Sequence, residues 1–153
     1  LDEFDGMLRV VTTTSEIERK MIRKSGSIVS DDEALAIIST GNTSASLYCV
    51  SLSDWQILAS VEKFAPIGET VQSVRFDGNT AYVCTSIQLS DPVFFFDLFD
   101  INNISCKDTG TIEGFSSSLI NFKDGYLVGI GVGESWNTLK IEVYKFRTVE
   151  VSQ

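Results

Sequence analysis

Three carboxylates, Glu69, Asp91 and Asp97, are the residues in this sequence whose types could carry out acid–base chemistry together. A glycosidase needs no more than two Asp or Glu at the right separation, one to protonate the leaving group and one to attack or activate water. The chain contains no histidine. A Ser-His-Asp or Cys-His apparatus therefore has no imidazole to work with. Glu69 and Arg75 flank a strand that would lie innermost in its sheet. They read either as a structural ion pair, since a buried Arg needs a carboxylate to offset its desolvation, or as contacts for a ligand. Glu69, Arg75 and Asp91 are the candidate ligand-binding residues, and no residue is assigned as catalytic.

Metal and phosphate chemistry find less to build on. The runs "DDE" at 31–33 and "DINN" at 100–103 offer oxygen ligands of the kind calcium takes, without the spacing or glycine of an EF-hand loop. Cys49, Cys84 and Cys106 are isolated, with no C-x-x-C spacing and no histidine to complete a zinc tetrahedron. They read as free thiols on strands, packing as small hydrophobes. One disulfide in an oxidising compartment stays open, with no pair selected. "GVGES" from Gly131 is glycine-rich but follows a strand without opening a helix, which is not a phosphate cradle. No metal or cofactor is expected.

The elements that would position these residues are strands. Short runs rich in Val, Ile, Phe, Tyr and Thr are punctuated by Gly, Asn, Asp and Ser. An Asp-Gly pair follows a Phe-ending strand at Asp5, at Asp77 and, after one intervening lysine, at Asp124. Such pairs supply the positive φ values of a tight hairpin. Asp77 and Asp124 give a period of 47 residues. About four strands per 40–50-residue repeat is the pattern of β-propeller blades. The fold class is all-β: stacked four-stranded antiparallel blades, about three of them, at roughly 1–65, 66–115 and 116–153. Strands are expected at 8–13, 46–52, 56–63, 71–76, 81–85, 93–98, 107–113, 118–122, 126–131 and 139–146, with "TVEVSQ" closing the third blade. Sheet stacked on sheet explains why "VFFFDL" is continuously apolar. Phe94, Phe95, Phe96, Tyr82, Leu98, Leu127, Ile130, Ile141 and Val143 should form the core.

Residues 15–34 interrupt the first repeat. Ser15 with Glu18 makes a capping-box pattern, and Glu16/Lys20 and Ile17/Met21 fall at i,i+4. A short helix over 16–24, ended near Gly26, and a mobile charged loop both fit.

At 153 residues, 43% hydrophobic and 22% charged, the chain is long enough for one domain with a real core. A net charge of −9 disfavours nucleic acid and anionic membrane as partners. No apolar run reaches the roughly 18 residues of a membrane span, so membrane attachment would need an anchor elsewhere. "LDEFDG" reads as an internal boundary rather than a gene start.

Several motifs resemble one family. They include "GE" at Gly68–Glu69, "SVRF" at Ser73–Phe76, Ala81 to Thr85, "DP" at Asp91–Pro92, "DL" at Asp97–Leu98, "GFS" at Gly114–Ser116, "GIG" at Gly129–Gly131, and "LRVVTTT" from Leu8. Together they resemble bacterial secreted or surface proteins with a C-terminal β-propeller domain, distantly similar to WD-repeat propellers. Where that family usually has Leu-His-Pro after "GFS", this chain has "LIN" at Leu119–Asn121, so no histidine role carries over. The loop before Asp91 is also longer. The resemblance implies an extracellular or cell-surface location and no particular reaction. The function expected is a non-enzymatic scaffold that binds a protein or glycan. The alternative is a carbohydrate-active hydrolase using Asp or Glu, with the rest of its site elsewhere. With about three blades, the end blades should leave faces uncovered and favour self-association.

Overall fold

The computed structural model describes residues 1–22, 34–87, 90–109, 112–123 and 125–145. All regular structure among them is β. The first sheet has the order β1 (Asp2–Phe4), β2 (Met7–Ile22), β3 (Ala34–Ser51), β4 (Ile57–Val61). The second comprises β5 (Thr70–Asp77), β6 (Thr80–Ser86), β8 (Val93–Asp97) and β9 (Ser105–Asp108). The third comprises β11 (Phe115–Lys123), β12 (Tyr126–Val132) and β13 (Leu139–Lys145). A two-residue ladder joins β7 (Ser90–Asp91) to β10 (Ile112–Glu113). All pairings are antiparallel, and the three larger sheets run in up-and-down order. The expected strand at 107–113 is thus divided between β9 and β10. "TVEVSQ" lies outside the described residues.

The blades meet face to face, and strand alternation gives each a front and a rear. In the second blade Ala81, Val83, Phe94 and Phe96 point to the rear, where they pack with Ala45, Leu47 and Cys49 of the first. Phe64 seals this layer with its ring edge-on to Phe94 and Phe96, at centroid distances of 5.0 and 4.9 Å. Tyr82, Cys84, Val93 and Phe95 point forward, onto Leu119, Leu127, Tyr144 and Phe115 of the third blade. This explains the unbroken "VFFF": both faces of β8 are covered. The first strands lie side by side, with the Ser73 hydroxyl of β5 donating to the Ser116 carbonyl of β11 at 2.7 Å.

Three core expectations need correction. Ile141 and Val143 are 64% and 58% exposed, and Ile130 is only partly buried. They occupy the front of the third blade, where no buried cluster forms among the described residues, while Leu127 and Tyr144 on its rear are buried.

The interruption at 15–34 is also corrected where it is described. Residues 16–22 are neither helix nor irregular loop; they continue β2, paired with β3 from Ile17↔Ser39 to Ile22↔Ala34. An isolated helix of about nine residues is marginal in water, whereas 34–39 offers a ready antiparallel partner containing two isoleucines. Residues 23–33, including Gly26 and the "DDE" run, lie outside the described residues.

The hairpin turns refine the repeat. In the first blade Asp5 and Gly6 are the two loop residues, both at positive φ (50° and 73°), between paired Phe4 and Met7. In the second blade the loop is Gly78-Asn79, and Asp77 is still in the strand, paired with Thr80. In the third blade Lys123 pairs with Tyr126, as Phe4 pairs with Met7 in the first. Asp77 therefore stands one position earlier relative to its turn than Asp5 does.

Candidate functional site

Glu69 lies where the chain crosses from the first blade to the second, and it is 5% exposed. Its backbone is fixed from two sides. The amide donates to the Pro66 carbonyl at 3.2 Å, and the carbonyl accepts from the Thr43 hydroxyl at 3.2 Å. Its carboxylate accepts a hydrogen bond from the hydroxyl of Thr85, a fully buried residue on β6. Two residues further on, at the start of β5, the Val71 amide donates to the Thr13 hydroxyl of β2 at 3.1 Å. The Gly-Glu motif thus works as a latch between two blades.

Arg75 stands on β5 opposite Tyr82 and is exposed. Among the described residues Glu69 and Arg75 do not form an ion pair, which corrects the structural pairing expected of them. The cause is their places in the strand: Glu69 precedes β5 and turns inward to Thr85, while Arg75 sits near its far end. Gln72, Arg75 and Asp77 are exposed along this one strand. They put an amide, a cation and a carboxylate on the first strand of the middle blade.

The backbone of Asp91 pairs with Ile112 in the β7–β10 ladder. Its side chain lies outside the described residues. Asp97 uses a carboxylate oxygen to accept from the Phe99 amide at 3.0 Å. Glu69 meets β6 at Thr85, whereas Asp97 pairs with Thr80. Five residues at about 3.3 Å each separate those levels by roughly 17 Å, beyond the roughly 5–9.5 Å that a carboxylate pair needs. Glu69 and Asp97 are therefore not a hydrolytic dyad. In the "DINN" run, the Asp100 carboxylate accepts from the Asn102 amide at 3.0 Å, the local turn bond that Asp commonly makes.

Sequence reasoning missed the most heavily engaged charge. Arg9 is 2% exposed. Its guanidinium pairs with Asp2, with the Nε to carboxylate distance at 3.0 Å, and donates to the Gly78 carbonyl in the second blade's turn. It also lies over the rings of Phe4 and Phe76, at 4.7 and 4.8 Å from their centroids. The available signal was an Arg inside the apolar run "MLRVV", placed by the hairpin directly across from an Asp.

Cys49, Cys84 and Cys106 form no disulfide. Burial pushes the Cys49 thiol up, against the opposing pull of Arg9. Cys106 is exposed by area, yet desolvation of its sulfur and the neighbouring Asp108 push it up to about 11. Burial likewise raises the Tyr82 and Tyr144 phenols. A groove of about 840 Å³ runs along β13 beside Glu113, Leu139 and Ile141, away from the candidate residues.

Residues 1–151 match the family described as "Beta propeller domain". The chain belongs to that family. Its stacked sheets of four, four and three strands are propeller blades, and β1, β5 and β11 are the first strands of those blades. An uncharacterized protein of Archaeoglobus fulgidus is 28% identical over 131 residues. That alignment covers 86% of this chain and 16% of the archaeal protein, so the propeller segment spans about a sixth of that relative's length. No solved structure matches.

Proposed function

We propose that this propeller segment is part of a non-enzymatic binding scaffold, secreted or displayed at a cell surface, that holds a protein or glycan ligand. The observation that supports it best is Arg75: an exposed guanidinium on the first strand of the middle blade, making no ion pair among the described residues. A guanidinium presents a fixed fork of donors that suits carboxylates, sulfates and peptide carbonyls. Gln72 and Asp77 on the same strand add donors and acceptors of both kinds. Glu69 supports the scaffold from beneath by holding the crossover in place, rather than by touching ligand. The surface location follows the family resemblance.

The test is a binding screen of the folded chain on glycan and peptide arrays, together with assays on a panel of glycoside substrates. Arg75→Ala should weaken a ligand found this way about 10-fold or more while leaving the melting temperature unchanged. Turnover of any glycoside that is abolished by Asp91→Asn would sink the scaffold reading in favour of a hydrolase.

A further inference from the structure

Asn-x-Ser/Thr, with any residue but proline between, is the acceptor pattern for an N-linked glycan. It occurs twice in the chain, at Asn42-Thr43-Ser44 and at Asn103-Ile104-Ser105. The pattern alone does not choose between them; the fold does. Asn42 lies within β3, and the atom that would take the sugar is already engaged. Its carboxamide nitrogen donates to the Glu16 carboxylate across the hairpin at 3.0 Å. The Ser44 hydroxyl is engaged too, 3.0 Å from that of Thr14. Thr43 between them is tied to the crossover, its hydroxyl donating to the Glu69 carbonyl and its carbonyl accepting from the Gly68 amide.

Asn103 sits on the loop between β8 and β9, at the outer rim of the second blade. Its backbone is fixed by a turn, the Asn103 amide donating to the Asp100 carbonyl at 2.9 Å. Its side chain is exposed, and among the described residues the carboxamide has no hydrogen-bond partner. Ser105, which opens β9, is exposed as well. The surroundings leave room. Asn103 borders a groove of about 430 Å³ between this loop and β4 of the first blade. Clefts that hold small ligands span about 300–1,000 Å³. No charged side chain lines this one, and Ser60 and Asn102 offer it a hydroxyl and a carboxamide. The far wall is also an edge strand without the usual guard. β9, the outer strand of the second blade, carries Lys107 and Asp108, whereas β4 is uncharged from Ile57 to Val61 and exposes Leu58. Charge is one common protection of a free edge, and bulk laid beside it is another.

We propose that Asn103 is an N-glycosylation acceptor, selected over Asn42, and that its glycan stands beside the uncharged edge of β4. The inference rests on the secreted or surface location proposed above. The donor is an oligosaccharide linked through phosphate to a polyisoprenoid lipid. The Asn103 carboxamide nitrogen bonds to C1 of the first sugar as the bond from C1 to the phosphate oxygen breaks. The lipid phosphate leaves with that electron pair, and the nitrogen gives up one proton to a base. Nothing is oxidised or reduced.

The test is peptide mass spectrometry on the native protein, isolated from the cells that make it, with its location measured in the same fractions. The peptide holding Asn103 should carry a saccharide mass on that residue, and the peptide holding Asn42 should be bare. In the same host Asn103→Gln and Ser105→Ala should each abolish the added mass, while Ser105→Thr and Asn42→Gln should keep it. Ser105→Ala leaves the acceptor nitrogen in place on an exposed strand, so its effect should come with an unchanged melting temperature. A bare Asn103 on exported protein, or a glycan found at Asn42 instead, would overturn the site while leaving the location reading intact. A chain retained in the cytosol would overturn the location reading and the site with it.

Discussion

Replacing Arg9 with Met keeps an unbranched stem of similar length and removes only the guanidinium. Two opposing effects decide the result. The wild-type charge carries a desolvation cost, and hydrophobic replacement of buried ion pairs is often neutral or better. Against that, the variant loses a charge-assisted hydrogen bond to the Gly78 carbonyl, about 1.5–3 kcal/mol. It also loses two ring contacts at about 0.5–2 kcal/mol each. The Asp2 side chain is 33% exposed, so it rehydrates and adds only about 0–1 kcal/mol. After the returned desolvation is set against these losses, the net expectation is a destabilisation of about 2–3 kcal/mol. At about 2–4 °C per kcal/mol for a chain of this size, the midpoint should fall by roughly 4–12 °C. Urea unfolding followed by far-ultraviolet circular dichroism measures it, with an unchanged slope showing that the unfolded state is unaffected. Arg9→Lys should fall between wild type and Met, because an ammonium keeps the charge over the rings but not the planar fork. A loss below about 0.5 kcal/mol for Arg9→Met would refute the idea that this residue ties the first blade to the second.

Phe96 is fully buried against Phe64, so Phe96→Ala should cost about 3–5 kcal/mol, while Ile141→Ala on the open front should stay within about 0.5 kcal/mol of wild type when the chain is monomeric; thermal melts at low concentration compare them. A methyl at Gly131 would collide with the Phe115 carbonyl on the neighbouring strand, so Gly131→Ala should destabilise by about 1–3 kcal/mol, and a melting temperature equal to wild type would contradict that packing. The raised thiol of Cys106 should react slowly with a disulfide reagent at pH 8 and accelerate only toward pH 11, with Asp108→Asn shifting the profile down. The folded chain holds that proton more tightly than the unfolded one, so the associated stability is complete below about pH 9 and is lost as pH rises toward 11. Cys106→Ser should blunt that alkaline loss, and the raised Tyr82 and Tyr144 phenols should leave a residue of the same sign.

Much of the architecture was legible because it is periodic. "VFFF" announced a strand covered on both faces, and the Asp-Gly pairs announced hairpins; both follow from local backbone chemistry. The misreadings each depended on something beyond the local pattern. Ile141 and Val143 carry the composition of a covered strand, but burial needs a neighbouring blade, and none of the described residues supplies one on that side. "SEIERKM" satisfies helix spacing, yet its pairing partner lies about twenty residues away, where spacing rules do not look. Glu69 and Arg75 were paired on sequence proximity, whereas Glu69 is turned inward to Thr85 across a strand pair. Arg9 went unnoticed because its partners, Asp2, Phe76 and Gly78, come together only after two blades have stacked.

The long hairpin of the first blade separates two kinds of change that a repeat protein must accommodate. β4 pairs with β3 only from Leu47 to Val50, so beyond Ser44 the strands β2 and β3 have no third strand beside them among the described residues. The register also slips between Ser15 and Ile17, where the projecting part begins. About seven further residues per strand extend roughly 23 Å from that point, held to the blade mainly through their own two roots. The blade-to-blade contacts of the first blade described above, from Arg9, Thr13, Thr43, Ala45, Leu47 and Cys49, all lie outside the arm. The arm is therefore a place where the chain can acquire new reach or new specificity by insertion, at little risk to the fold that carries it.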